Sequence, residues 1–591
     1  MKIKYLDSLR LYRAFLAGGT AVVRNQEHLN KINVFPVPDS DTGTNLAATV
    51  RSIMDDSRVY PSFKQTFGSI ADAALMGARG NSGIIFAQFL YGMSQELGNE
   101  RRISPHSFAE AAKRAVAYVY TSLVKPVEGT ILTVIHDWAH AIAEESRRTN
   151  DFFHIFVDGV RHAQRSLSET PKKLRVLAEA GVVDAGGQGF VDFLEGIRNL
   201  IVQGFIVAPG SREASHHNQI DDPLPHEVDL MFQYCTEAML SELTIDLPTL
   251  RDHAVPFGDS IVVAGSSRKM RLHIHTNAPS ELFFKLKDVG TISQIKVTDM
   301  RHQYNVAHHR RFPIALVTDS TCDLPQAILE QYQIHVIPFP LSFGDTMFLD
   351  RVTINPKQFY HLLRTHPIHP KTAQPPVREV QSLFSFLASH YESIIAIHIS
   401  DKLTGIFNMS TQVGLSLNKR SDVINSRSIS AGLGLTVYRA ALAIEQGTSH
   451  DDVLRLVAEW TRKSFLYADI RTLKYLVRGG RISAAKGVVA RLFNLRPLIS
   501  VDAEGKGAIL GKSITDDGNV KKLLALVEKA AANNPVWNYA VVHADASDRA
   551  QMYAEEVQAL VRKPPLYIED ISPVIGAHNG LGCVGVALML E

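Results

Sequence analysis

Two aspartates, Asp39 and Asp41, stand two residues apart in a proline-led loop that runs into Gly43, Thr44 and Asn45 before a helix-like segment begins at Leu46. Carboxylates at i and i+2 around a small residue can turn their oxygens toward one hard cation, and a helix N-terminus beside them favours phosphate. That pairing suits magnesium–nucleotide chemistry. A calcium loop of the EF-hand type needs Gly at the sixth position and Glu at the twelfth. Here those positions hold Thr44 and Val50, so that reading is excluded. A capped turn stays open on these residues alone, because Asp, Ser, Gly and Asn are ordinary turn residues.

Two further loops in the same part of the chain could meet an anion. G-A-R-G-N-S-G spans residues 77–83 and offers convergent backbone amides together with Asn81, Ser82 and Gly83. E-A-G-V-V-D-A-G-G-Q-G spans residues 179–189 and carries Asp184. Further along, Y-C-T-E (234–237) and H-I-H-T-N (273–277) supply Cys235, His273 and His275. On a strand the two histidines share a face, so with Cys235 they could hold zinc through two nitrogens and one sulfur. Histidines that merely pack or hydrogen-bond fit the same spacing. Two nucleotide-like motifs fail. G-K-S at 511–513 would need Gly at 506, where Lys506 stands, and G-L-G-C-V-G at 580–585 has no room for a βαβ unit before Glu591.

These residues need several domains to position them, since a chain of 591 residues exceeds what one core usually holds. Hydrophobic content of 45% and charged content of 21% are those of a globular protein, and a net charge of +2 gives no reason to expect nucleic acid. Three widely separated cysteines argue against a disulfide framework and for a reducing cytoplasm. No apolar run reaches the length of a membrane span. Residues 1–205 read as mostly helical, with breaks near Pro36 and Pro38, 77–83, 126–129 and 186–189. A polar, proline-bounded stretch within 206–225 reads as a linker. Residues 226–310 read as a small α+β domain with strands at 260–264 and 271–276. From residue 312 onward, expected strands (314–317, 336–341, 394–399, 422–425, 539–543) alternate with expected helices (380–390, 430–445, 451–465, 546–562), which predicts parallel α/β architecture.

Residues 33–45, 77–83, P-V-E-G-T-I-L-T at 126–133 and 184–189 resemble, in order, the ATP-binding domain of the dihydroxyacetone kinase L-subunit (DhaL) family, in the version found in bacterial fatty acid kinase. The resemblance covers residues 1 to about 205 and implies an all-α helical barrel whose loops hold ATP through Mg²⁺. Asp39 and Asp41 would ligate magnesium, with Asn33 a weaker member of that cluster. Thr44, Asn45, Asn81, Ser82, Gly83 and Asp184 would meet the nucleotide. The family usually has Gly where this chain has Ser40. If that position needs a positive φ, Ser costs roughly 1–2 kcal/mol there. The central motifs and G-D-S at 258–260 resemble the middle domain of fatty acid kinase, where Cys and His residues are associated with zinc.

Hydroxyl, glycine and cationic loops follow several strands of the C-terminal half: V-T-D-S-T-C-D-L-P (317–325), K-T-A-Q-P (371–375), L-T-G (403–405), V-R-G-G-R-I-S (477–483) and P-V-I-G-A-H-N-G (573–580). Together they resemble the DegV family of fatty-acid-binding proteins across 312–591, which implies a two-lobed α/β half with an apolar tunnel and the acyl carboxylate at its mouth. Thr372, Thr404 and Gly405 would hold that carboxylate, with His578 nearby and Arg478 and Arg481 supplying positive charge. Ala373, Thr404, Ile406 and Phe407 depart from the family's usual Ser, Ser, Thr and Tyr.

The combined expectation is a cytoplasmic fatty acid kinase with its acyl carrier fused to it. ATP and a fatty acid would be its ligands, Mg²⁺ and Zn²⁺ its metals. A homodimer and transient contact with a membrane or an acyltransferase are expected, and nucleic acid is not. Fusion would raise the carrier's effective concentration to roughly millimolar. Two other readings stay open: a lipid-binding regulatory scaffold with a weak kinase domain, favoured by Ser40 and Ala373, and a small-molecule kinase of the dihydroxyacetone type.

Overall fold

The computed structural model describes residues 2–36, 41–203, 231–479, 496–513, 515–532 and 534–591. The chain divides into two compact units, Met1–Ala278 with Asp288–Tyr304, and Pro279–Lys287 with Asn305–Glu591. The expected linker at 206–225 lies outside the described residues. Among those described, no helix is long and apolar enough to cross a membrane.

The first unit begins with a ring of helices. Ser8–Arg24, Thr42–Asp56, Phe63–Gly77, Gly80–Glu96, Pro105–Ser122, Ile131–Ser146, Phe152–Ser168 and Ala185–Gln203 pack in succession, and the last returns to the first. Local chemistry sets where they start. Ser62 accepts the Gln65 amide, Ser104 accepts the Ser107 amide ahead of Pro105, and Asp151 accepts the Phe153 amide. Helix Gly80–Glu96 buries Ile84, Ile85, Phe86, Ala87, Phe89 and Leu90, which point to all sides of it, so it runs through the core and not over its surface. Phe89 and Phe190 meet Trp138 edge-on at its centre, each contributing about 1.5–3 kcal/mol by burial.

A four-stranded antiparallel sheet completes this unit, ordered Gly258–Ser266, Lys269–Thr276, Tyr234–Ser241, Thr291–Asp299. Its Met239, Val262 and Ala264 join the hydrophobic core of the helices, and the Gly265 amide donates to Gln88 Oε1 at 2.8 Å. Register places Cys235 opposite His275, Glu237 opposite His273, and Met239 opposite Arg271. Residues with period two share a face, so Cys235, Glu237, Arg271, His273 and His275 lie on one side of the sheet.

The second unit has two main sheets. Arg420–Asn425, Ser393–His398, Ile314–Asp319 and His335–Ile337 form a wholly parallel one. The other has six strands: Gly507–Ser513, Arg496–Val501, Ser464–Asp469, Val584–Leu590, Val536–His543 and Ile568–Asp570. Its pairs are antiparallel except Val536–His543 with Ile568–Asp570, so the parallel expectation holds for one lobe only. A tight turn at Gly505 (φ +84°) joins the first two of these strands and forces them antiparallel. Helix Ala431–Glu445 packs on both sheets. The single strand expected at 336–341 is two strands in different sheets, His335–Ile337 and Pro340–Phe343, because Pro338 and Pro340 remove ladder donors between them. The helix expected at 451–465 ends at Trp460, and Phe465 belongs to strand Ser464–Asp469.

Candidate functional site

Three loops of the helical ring meet. Asn45 Nδ2 lies 2.5 Å from where a Cβ on Gly80 would stand, so the first and second loops touch, and Gly80 adopts a left-handed φ of +60° that suits glycine. Ser82 Oγ likewise crowds Gly186 of the third loop. Asp41 precedes helix Thr42–Asp56, and its side chain makes no capping hydrogen bond there. Asp39 lies outside the described residues. Asn33 is buried, and its Oδ1 accepts from both the amide and the hydroxyl of Thr42. It therefore ties the loop to the helix start.

Other predicted contacts divide into those open to a ligand and those already engaged. Asn81 Oδ1 is buried with no hydrogen-bond partner among the described residues, the pattern of a group that meets a ligand. Thr44 is engaged: its amide donates to Asn30 Oδ1 at 3.0 Å, and its hydroxyl receives Asn30 Nδ2 at 3.0 Å. Gly83 is buried against Thr49. Asp184 is also committed. Burial pushes its carboxyl up to about 6, while the amides of Gly187, Ile131 and Gly186 work against that rise, and the Gly187 amide donates to Oδ2 at 2.7 Å. Asp184 thus clamps the starts of two helices at the edge of the loop cluster.

The strand face holds a compact cluster. Ligand atoms of Cys235, His273 and His275 lie within 4.8 Å of one another. Cys235 Sγ is 3.9 Å from His273 Nδ1, and His273 Nε2 is buried without a hydrogen-bond partner among the described residues. Burial, helped by neighbouring His273, lowers His275 to about 3, which keeps its imidazole neutral. A buried soft sulfur, a neutral imidazole and an orphaned ring nitrogen fit a zinc ion. Sequence reading missed Glu237, the carboxylate between this cluster and the second loop. It receives the Gly80 amide and faces Arg271 Nη2 at 3.1 Å, His273 Nδ1 at 3.4 Å and Arg79 Nη1 at 3.5 Å. Burial works against its charge, but His273, Arg271, Lys296 and Arg79 hold its carboxyl well below the usual range. Lys296, opposite Glu237 in register, keeps its ammonium despite burial because Glu237 and Asp41 lie close enough to favour it. A charged residue at an inward position of a strand was the available signal.

In the second unit, Thr372 Oγ1 stands 3.1 Å from His578 Nε2. A Cβ on Gly479, the residue after Arg478, would lie 2.0 Å from His578 Nδ1, so the two loops are in close contact. Gly405 stands at the N-cap of helix Ile406–Leu415, and its Cβ position falls 2.3 Å from Gln374 Nε2. Thr404 and Gly405 therefore border the 371–375 segment at a helix N-terminus, where a carboxylate is favoured. Gln374 was not anticipated, nor was His369. Its pKa is lowered by burial and by the Arg478 charge, and its ring lies 5.7 Å from that of Tyr475. Arg481 lies outside the described residues. In the loop at 317–325, Asp323 is fully buried, faces Arg351 at 3.3 Å and receives Ser430 Oγ and the Ser572 amide. Two hollows among the described residues hold about 310 and 210 Å³. One is lined by Leu524 and Leu560, the other by Pro313 and His450, and neither is the acyl tunnel expected beside Thr372.

Comparison with known proteins partitions the chain in the same order. Residues 36–199 match the family model for the DAK2 domain, 231–307 the model for the FakA-like middle domain of fatty acid kinase, and 313–591 the "Uncharacterised protein, DegV family" model. An uncharacterized protein of Staphylococcus haemolyticus is 32% identical over 301 residues, 49% of this chain and 54% of that one. Protein YloV of Bacillus subtilis is 33% identical over 319 residues, 51% of this chain and 57% of its own length. The chain thus spans about half the length of these curated relatives. Among solved structures, DegV of Bacillus subtilis, titled a fatty acid binding protein, is 28% identical with a TM-score of 0.45 and covers 47% of this chain and 100% of its own. A Thermus thermophilus DegV family protein is 24% identical with a TM-score of 0.44, at the same coverage of both chains.

Proposed function

We propose, from the premise that this chain joins a DAK2 domain, a fatty acid kinase middle domain and a DegV-family domain, that it transfers the γ-phosphoryl group of ATP to a fatty acid carboxylate. A carboxylate oxygen attacks the γ-phosphorus, the bond to the bridging oxygen breaks, and acyl phosphate and ADP leave. The carboxylate is already ionised, so no strong general base is needed, and positioning and electrostatics carry the step. What supports this reading most is that nucleotide-type and carboxylate-type loops occupy one chain: Asn45, Gly80, Ser82 and Gly186 in contact in the first unit, and Thr372 beside His578 in the second.

Asn81 and Ser82 would orient the phosphates, and Asp41 with Asp39 would hold magnesium. Mg²⁺ there would supply charge neutralisation on the bridging and γ-oxygens. Cys235, His273 and His275 would hold Zn²⁺. Thr372, Thr404 and the start of helix Ile406–Leu415 would receive the fatty acid head group, with His578 and Arg478 beside it. The reading includes a cytoplasmic homodimer that passes its product on through transient membrane or acyltransferase contact. Three buried cysteines, none in a disulfide, suit that reducing compartment.

The test is purification of the full chain, mass spectrometry of co-purified lipid, and ADP release with fatty acid against dihydroxyacetone. Bound fatty acid and fatty-acid-dependent ADP release are expected. Lipid without turnover would leave a binding scaffold, and turnover with dihydroxyacetone alone would leave a small-molecule kinase.

A further inference from the structure

Glu237 belongs to two sites at once. Its Oε1 receives the Gly80 amide, 157 residues away in sequence, and faces His273 Nδ1 at 3.4 Å. Its Oε2 faces Arg271 and Arg79. The carboxylate is 1% exposed, so each contact is made away from water, where it is strong and expensive to break. On one side, Gly80 begins the helix whose next residues are Asn81, with its orphaned Oδ1, and Ser82, which lies against the third loop. On the other side, His273 turns Nδ1 to Glu237 Oε1 at 3.4 Å and to Cys235 Sγ at 3.9 Å, while its Nε2 has no hydrogen-bond partner among the described residues. A ligand histidine is commonly oriented by a carboxylate on its second nitrogen.

We propose that Glu237 is a positioning residue that couples a zinc-type cation on Cys235, His273 and His275 to the nucleotide loop at Gly80–Ser82. A cation held by His273 would fix its ring. The fixed ring holds Oε1 of Glu237, and that oxygen fixes the Gly80 amide and the start of helix Gly80–Glu96. The coupling is a free energy between two sites and so runs both ways: nucleotide tightens the cation by the factor with which the cation tightens nucleotide. A carboxylate that only braced the fold would leave both affinities independent. The inference rests on the nucleotide-binding reading above.

The test uses the full chain, stripped of metal by chelation, with MgADP as the probe so that no turnover is involved. MgADP affinity is measured with and without one equivalent of Zn²⁺, and Zn²⁺ affinity is measured with and without MgADP by competition with a chromogenic chelator. We expect Zn²⁺ to tighten MgADP at least fivefold, an equal factor in the reverse direction, and a drop of that factor below twofold in Glu237→Gln. Glu237→Asp, too short by one methylene to reach Gly80 and His273 together, should behave the same way and serves if the Gln variant does not fold. Equal MgADP affinity with and without Zn²⁺, or undiminished coupling in both variants, overturns the inference while leaving nucleotide binding intact. No MgADP binding in either state overturns it together with the reading beneath it.

Discussion

Thr372 Oγ1 and His578 Nε2 meet at 3.1 Å across 206 residues of sequence. Thr372 ends a two-residue strand paired to Leu341, while His578 sits in the last turn of helix Pro573–Asn579. That contact joins two loops at the proposed head-group site, and it makes the hydroxyl at 372 the first position to remove.

Thr372→Val keeps the shape and deletes the hydroxyl. A lost hydrogen bond to a carboxylate costs about 1.5–3 kcal/mol, so fatty acid affinity should fall roughly 10- to 100-fold. Displacement of a fluorescent fatty acid reads this directly. Unchanged affinity would remove Thr372 from the site.

Asp41→Ala should abolish phosphoryl transfer while lipid still co-purifies, because in the proposed function the carboxylate would serve the nucleotide's metal and not the acyl group. Chelation of Mg²⁺ should do the same reversibly. A rate within twofold of the parent would refute the assigned metal role.

Gly405→Val would drive a branched side chain into Gln374, whose Nε2 already lies 2.3 Å from the Cβ position. Gln374 is exposed and the clashing amide is the end of a flexible side chain, so it can swing aside at small cost to stability. Weakened fatty acid binding with a melting temperature close to the parent's is expected, and unchanged affinity would remove Gly405 from the proposed head-group site.

Asp350 gives a pH signature. Burial raises its carboxyl from 3.8 to about 7, although its hydrogen bond from Ser320 and the Arg351 charge oppose the shift. The folded chain therefore keeps a proton that the unfolded chain releases above about pH 4. Stability from this group is present below that pH and is lost as pH rises from about 4 to about 7, at up to about 1.4 kcal/mol per unit. Asp350→Asn should flatten the dependence of melting temperature on pH in that window, and a slope equal to the parent's would count against this account.

What could be read from the residues in order was the chemistry carried by short stretches. Helix starts and the proximity of Asp41 to a helix N-terminus follow from local caps and breakers. The strand pair with His273 and His275 on one face follows from period two. What spacing could not carry was contact between distant segments. Glu237 reaches Gly80, Gln374 reaches Gly405, and Asp184 is spent on amides of its own loop and of Ile131. The start of strand Ser464–Asp469 was absorbed into a helix because Phe465 continues the apolar series Val453, Val457 and Trp460.

The central claim is that one chain makes acyl phosphate from ATP and a fatty acid. Incubation of the purified chain with MgATP, fatty acid and hydroxylamine tests it most directly, because hydroxylamine captures an acyl phosphate as the fatty hydroxamate. The account predicts fatty hydroxamate by mass spectrometry in step with ADP, and none without ATP or with Asp41→Ala. ADP release with no hydroxamate, or no fatty-acid-dependent ADP release at all, would contradict it.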